Sequence, residues 1–324
     1  MKSYWIVTKD HKSALELREA PMPQPKVGEV VIKVHATAMN RGEIFVGGVM
    51  HGGAEKLGGN EASGVVHAAG EGVSEWKPGD RVMGRARGAF AEYAVLDVHQ
   101  VMRVPAKLTW EQAAATPLSF ITAYESVVMF GKLKAGEWLL VTGVSSGTGV
   151  CCMQIAQVLG ARTIGTSGSA DKLGKLKALG LDVGITTRQP DFAAKIREVT
   201  GGAGANVAVN LVGGSLFPEC MRALARKGRL IVVGYVDNQH HAEIDLSAVH
   251  ANRFEICGVS NAKVTGEERA DAARGFARDI LPAIESGRIA PVVDRVFSFD
   301  QLPDAKAYME SNAMLGKIVV RVAS

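Results

Sequence analysis

The stretch WLLVTGVSSGTGVCCMQIAQVLGA, residues 138–161, constrains the fold more than any other part of the sequence. WLLVT is an apolar run of strand length, and GVCCMQIAQVLG reads as a helix. Between them stand Gly143, Gly147 and Gly149. A strand that turns into a helix over glycines leaves bare backbone N–H groups at the positive helix end, which suits a pyrophosphate. The spacing is GxxxGxG rather than the commoner GxGxxG, so the surroundings decide. They are regular: RTIGT then SADKLGKLKALG, VGITT then DFAAKIREVTG, NVAVNLV then SLFPECMRALARKG, followed by RLIVVGYV and FEICGV. Strands alternating with helices in this way predict a parallel, doubly wound sheet over about 137–260.

Residues 1–108 have another texture. SYWIVTK, EVVIKVHAT, SGVVHAAG, DRVMGR and FAEYAVLD are rich in β-branched and aromatic residues and are broken by turns such as WKPGDRV. Short strands of this kind predict a small barrel. Thr109 and Gln112 have capping-box spacing, so a helix is expected to start there. After the alternating region, GEERADAARGFARDILPAIESGR reads as one helix and KIVVRV as a last strand.

Composition excludes several alternatives. With 324 residues, 47% hydrophobic and 22% charged, the chain is neither disordered nor collagenous, and its length suits two domains. No apolar run approaches the ~20 residues of a membrane span, and MKSYWIVTKD lacks a signal-peptide core. A cytoplasmic protein with no membrane partner is expected. Cys151, Cys152, Cys220 and Cys257 lie in apolar stretches without a CxxC, which argues against disulfides and a cysteine zinc site. The net charge is +4, but the basic residues are scattered, so no nucleic-acid partner is expected.

The second strand of the alternating region bears on the choice of dinucleotide. An NAD site usually ends this strand with Asp or Glu, which accepts from the ribose 2′-OH. Here it runs into Thr166, Ser167, Gly168 and Ser169, with Lys172 one turn into the next helix. Hydroxyls and a cation suit a 2′-phosphate. The plainer alternative is that Ser169 only caps the helix and Lys172 only faces solvent.

At this point the sequence resembles a known family over nearly its whole length. ATAMNRGEIFVGG, GGNEASGVVHAAGEGVSEWKPGDRVMG, GAFAEY, AAATPLSFITAYESV, the glycine turn, GTSGSADK, NLVGG, GRLIVVGY and GKIVVRV resemble the zinc-free quinone oxidoreductase branch of the medium-chain dehydrogenase/reductase superfamily. The resemblance implies an α/β protein with a GroES-like β-barrel catalytic domain, residues 1–121 and 261–324. A Rossmann domain with a doubly wound parallel sheet would span 122–260, with NADPH in the cleft. It places Asn40 near the nicotinamide ribose and Thr122 near the nicotinamide. Ser146, Gly147, Thr148 and Gly149 would take the pyrophosphate, and Ser167 and Lys172 the 2′-phosphate. Thr187 stands where many relatives have an adenine-side tyrosine. Val212, Gly213, Gly234, Tyr235 and Asn261 follow successive strands, and Leu315, Gly316 and Lys317 would also approach the cofactor.

The zinc branch of that superfamily has a Cys at the position of Asn40 and a His at that of Asn60, just before Glu61. A catalytic zinc needs three such ligands, so no metal is expected, and Glu61 is read as a structural hydrogen-bond acceptor. Alcohol oxidation without a Lewis acid is disfavoured, whereas hydride addition to a quinone or to an α,β-unsaturated carbonyl needs less help. Phe45 stands where several relatives carry a tyrosine, and a phenyl ring donates no proton. Water, Arg41, Tyr93 or another group brought in by folding are the remaining sources. The stretch 47–59, with six glycines in thirteen positions and His51 at its centre, suits either a lid or a plain loop. The expected activity is NADPH-dependent quinone or enone reduction. Enoyl-thioester reduction and an NADPH-binding protein with little activity are the alternatives. A homodimer joined through the strand FEICGV is expected, because an apolar sheet edge needs a cover.

Overall fold

A computed structural model describes residues 1–9, 12–44, 55–261 and 263–322. Phe45, His51 and most of the 47–59 stretch lie outside the described residues.

The described chain divides into two units, Met1–Ser119 with Arg269–Ser324, and Phe120–Glu268. In the first, β1 (Lys2–Lys9) pairs antiparallel with β2 (Lys12–Glu19). Then come β3 (Glu29–Ala38), α1 (Arg41–Ile44), β4 (Lys56–Leu57), β5 (Glu61–Ala69), β6 (Arg81–Arg87) and β7 (Tyr93–Arg103). Next are α2 (Trp110–Ala114) and α3 (Pro117–Tyr124). The capping box expected at Thr109 is present. Its hydroxyl accepts from Gln112 N, and the Gln112 side chain accepts from Thr109 N, both at 3.2 Å.

The second unit continues with β8 (Trp138–Thr142), α4 (Gly147–Val158), β9 (Arg162–Ser167), α5 (Ala170–Ala178), β10 (Val183–Thr186) and α6 (Ala193–Val199). It closes with β11 (Ala205–Asn210), α7 (Phe217–Ala223), β12 (Leu224–Val232), α8 (Leu246–Asn252) and β13 (Glu255–Gly258). These six strands form one parallel sheet in the order β10-β9-β8-β11-β12-β13. That is the doubly wound arrangement, with its order reversing between β8 and β11. Residues 261–268, expected with the barrel, belong to this second unit.

The return segment carries α9 (Gly266–Asp279), α10 (Leu281–Ser286), β14 (Val293–Ser298), α11 (Leu302–Glu310) and β15 (Lys317–Arg321). The single helix expected over 266–288 is therefore two. Pro282 stands in the first turn of α10, where its missing N–H is harmless, whereas a continuous helix would lose a hydrogen bond there. The helix expected over 215–228 also ends early, at Ala223, because Leu224 already opens β12.

The barrel sheet runs β14-β15-β3-β5-β6-β7, and β3 also pairs with β7. Strand β3 thus serves two partners on one edge, with Glu29–Lys33 against β7 and Ala36–Ala38 against β15. Alternation along β15 splits its side chains between two clusters. Ile318 and Val320 pack with Tyr4, Met39, Phe90 and Leu302, and Val319 packs with Ala36, Ala38, Ala114 and Ala115. Ile318→Ala should therefore lower the stability of the barrel unit by about 2–5 kcal/mol in urea unfolding, the usual loss for a buried large-to-small change. A loss below 1 kcal/mol would mean that β15 is not part of the core.

Candidate active site and nucleotide-binding turn

In the first unit, three strand ends converge. Met39 N donates to Ile318 O at 3.0 Å, which holds the exit of β3 beside β15. Thr37 pairs with Ala62 across β3 and β5, which places Glu61 alongside. The Lys317 Nζ donates to Glu61 Oε1 and Asn40 Oδ1, each at 2.7 Å, and to Met39 O at 3.1 Å. Asn40 Nδ2 donates to the same Glu61 oxygen at 2.9 Å. The other oxygen, Oε2, accepts from Leu118 N at 2.8 Å. Glu61 is wholly buried and Lys317 is 5% exposed. An ammonium has three donors, and all three are used here. Lys317 therefore fixes Asn40, and Glu61 is the hydrogen-bond acceptor it was read to be.

Glu43, which the sequence reading missed, lies in α1 and is buried. One oxygen accepts from Gly59 N at 2.5 Å, and Oε2 has no hydrogen-bond partner among the described residues. Burial pushes its carboxyl up to about 7 and the Glu61 charge adds to that, while the Gly59 N–H, Lys56 and Lys317 pull it back. An acid three residues after Asn40 beside apolar Ile44 was the available signal.

The other proton-source candidates are engaged elsewhere. Arg41 donates to Met309 O at 3.0 Å and Asn312 Oδ1 at 2.6 Å, so its guanidinium caps the end of α11. The Tyr93 ring packs edge-on against His67, centroids 5.1 Å apart. Tyr93 pairs with Lys33 on β3, seven residues from Asn40, roughly 20 Å along an extended strand. Neither joins the Asn40 cluster. Leu315 and Gly316 lead into β15 in this same unit, Gly316 with φ +86°.

In the second unit, the glycine turn has the geometry of a cradle. Ser146 caps α4 by accepting from Gly149 N at 3.1 Å. A Cβ on Gly149 would stand 2.7 Å from Gly143 O and 2.8 Å from Val144 Cα, so only glycine fits. Gly143 itself turns at φ +64°. Gly147 and Thr148 open the helix behind Ser146. On the other side of the order reversal, Asn210 shapes the turn after β11. Its Oδ1 accepts from Thr142 Oγ1 at 3.0 Å, Val212 N at 3.0 Å and Gly213 N at 3.1 Å, and its Nδ2 donates to Gly213 O at 2.8 Å. Asn210 was not anticipated. Asp237 lies over Gly213 and holds Ser215 N at 2.8 Å. Gly234 N approaches Asn210 O at 3.4 Å, and the exposed Tyr235 ring tilts against His240. Asn261 Nδ2 donates to Thr122 Oγ1 at 3.4 Å.

At the end of β9, the Ser167 and Ser145 hydroxyls lie 3.3 Å apart, and Ser169 caps α5 by accepting from Lys172 N at 3.3 Å. The Thr187 hydroxyl donates to Asp191 Oδ1 at 2.7 Å. It ties down its own loop.

Comparison with known proteins now decides the family. The alcohol dehydrogenase GroES-like domain matches residues 26–106, and the zinc-binding dehydrogenase domain matches residues 147–277. Human quinone oxidoreductase is 28% identical over 313 residues, 94% of this chain and 93% of that protein. Mycobacterial Rv1454c, solved complexed with NADPH, has a TM-score of 0.88 at 26% identity, covering 99% of this chain and all of that one. The chain is a quinone oxidoreductase-like member of the medium-chain dehydrogenase/reductase superfamily. An NAD-dependent alcohol dehydrogenase has a TM-score of 0.86 at 29% identity, covering both chains fully. Polyketide synthase GfsB of Streptomyces halstedii is 31% identical over 319 residues, but this chain spans only 5% of that protein's length.

Membership of this superfamily makes the second unit a pyridine-nucleotide-binding fold, and the glycine cradle fits such a ligand. The turn leaves no room for a Cβ and presents a helix N-terminus at the sheet's order reversal. Zinc, named in one matching domain, does not fit the described residues of the first unit, where no group of three His, Cys, Asp or Glu could hold it. Asn40 and Glu61 already share the Lys317 ammonium, and Asn60 supplies no strong ligand beside them.

Two measurements check this superfamily member's barrel site. Lys317→Met strands Glu61 as an unpaired buried charge and should destabilise by about 3–5 kcal/mol in urea. Adding Glu61→Gln should recover part of that, and no recovery would mean that the pair is not coupled. Glu43 is raised from 4.5 to about 7, so the folded state holds its proton longer than the unfolded one. Its contribution is therefore fully present below pH 4.5 and is lost as pH rises toward 7, a difference of about 3 kcal/mol. Urea midpoints followed against pH should show this decline in the wild type and not in Glu43→Gln.

Proposed function

We propose that this protein is an NADPH-dependent, metal-independent reductase of quinones or α,β-unsaturated carbonyls. The observation that carries this reading is the saturation of Asn40 and Glu61 by Lys317, which puts a fixed protein cation where an alcohol dehydrogenase would need metal ligands. The similarity to human quinone oxidoreductase supports it. So does the end of β9, where Ser167, Ser169 and Lys172 stand without a terminal carboxylate.

Bound NADPH would supply a hydride to the conjugated acceptor. Ser146, Gly147, Thr148 and Gly149 would hold the pyrophosphate, and Ser167 with Lys172 the 2′-phosphate. Thr122, Asn261 and the Asn210-shaped turn at Val212 and Gly213 would orient the nicotinamide end. Asn40, locked by Lys317 and Glu61, contributes a rigid polar wall. Arg41 and Tyr93 are engaged elsewhere and Phe45 has no donor, which leaves water or another group brought in by folding as the proton source. Reduction of an enoyl thioester is a second reading, favoured by the 31% identity to a polyketide synthase. The protein would act as a homodimer joined along β13, an edge strand whose Ile256 is 38% exposed. A cytoplasmic location suits four cysteines that form no disulfide among the described residues.

NADPH oxidation should proceed with simple quinones or enones and survive exhaustive chelation. Loss of turnover restored by zinc would overturn the metal-independent reading. Tight NADPH binding without turnover on quinones, enones or crotonyl thioesters would leave a nucleotide-binding protein. In sedimentation velocity at micromolar concentration the protein should run as a dimer, and a monomer would remove the β13 interface.

A further inference from the structure

The geometry points to Arg188 as a second cation of the 2′-phosphate site, laid across Gly168 so that it flanks Ser167 and Lys172; this rests on the NADPH reading above. The placement follows from strand register. β10 runs parallel to β9 with Thr186 opposite Ser167, and Thr187 N donates to Ser167 O at 3.0 Å. The residue after Thr187 is therefore carried over the residue after Ser167.

A Cβ on Gly168 would fall 2.7 Å from Arg188 Cγ and 2.9 Å from Arg188 Cδ, and closer still to Nε. Any residue larger than glycine would push the arginine aside. Gly168 is not in the left-handed region, so backbone conformation does not explain the glycine, whereas the side chain lying on it does.

The surrounding charges leave the guanidinium available. Arg188 is exposed and forms no ion pair with any carboxylate among the described residues. The nearest acid along its own loop, Asp191, accepts from Thr187. Asp182 is occupied by Thr163 N and Oγ1 at 2.7 and 2.8 Å. Asp171, in the first turn of α5, is the one acid on the facing helix start. A planar guanidinium presents paired donors that match two phosphate oxygens, which the Lys172 ammonium does not. Lys172 would act as a point charge from the helix, and Arg188 would close over the phosphate from the neighbouring strand.

The test is equilibrium binding of NADPH and NADH to the full chain, read by nicotinamide fluorescence at several salt concentrations. Arg188→Ala should weaken NADPH about ten- to hundredfold and flatten its salt dependence, while changing NADH less than about threefold. Arg188→Lys should fall between. Gly168→Ala should mimic the loss in the wild-type background and add little once Arg188 is already alanine. Because the side chain is exposed, an unchanged melting temperature should confirm folding. If Arg188→Ala weakens both nucleotides equally, or neither, while Lys172→Ala abolishes the preference, Arg188 is not part of the site. If the wild type itself binds both nucleotides alike, the NADPH reading fails and takes this inference with it.

Discussion

A buried ion pair organises the barrel unit. Lys317 and Glu61 are both withdrawn from water, and each charge alone in that position would be expensive. Coulomb attraction at 2.7 Å offsets part of the desolvation, but only because the remaining valences are met by Asn40, Met39 O and Leu118 N. The consequence is geometric. Four separate stretches of chain must arrive at one point within hydrogen-bond tolerance, or the unit buries an unpaired charge. Core packing of β15 between two apolar clusters supplies the approach, and the ion pair sets the register.

The nucleotide-binding unit is organised on a different principle. Its turns are shaped mostly by backbone groups and neutral side chains, Ser146 at the start of α4, Asn210 after β11 and Thr142 between them, with Asp237 as the charged group over Gly213. At the Ser146 turn an anionic ligand then meets preset dipoles. Hydroxyls and cations gather at the far end of the sheet, beyond β9. The two units divide the labour, one with an internal cation that holds a polar wall and one with an open cradle for an external anion.

Much of this was legible from local pattern. The glycine turn, the strand–helix alternation and the Thr109–Gln112 box are short-range devices whose geometry follows from spacing and immediate sequence context. Local pattern misled where tertiary context overrode it. Residues 224–228 have good helix formers, yet Leu224 is claimed by pairing with Ala205 on β11. The break at Ile280 reflects one proline inside an otherwise strong helical period. The Lys317–Glu61 pair was not anticipated, because the two residues lie 256 positions apart and no spacing connects them. Glu43 and Arg188 were missed for the same reason: the burial of one and the glycine under the other exist only once strands are paired. Asn40 and Glu61 could be singled out, but the reason for their orientation could not.

The place of β15 in the chain has a consequence for biosynthesis. Glu61 emerges from the ribosome with β5, and its counter-ion follows 256 residues later, after every strand of the nucleotide-binding sheet. At roughly 5–20 residues per second that interval is about 13–50 s. During it, the nascent barrel has an unclosed edge on β3 and a Glu61 carboxylate still without its counter-ion. The intervening unit has all its own strands and can mature first. Translation order thus favours a half-barrel kept open and hydrated, the kind of surface chaperones hold, until the last strand brings its lysine.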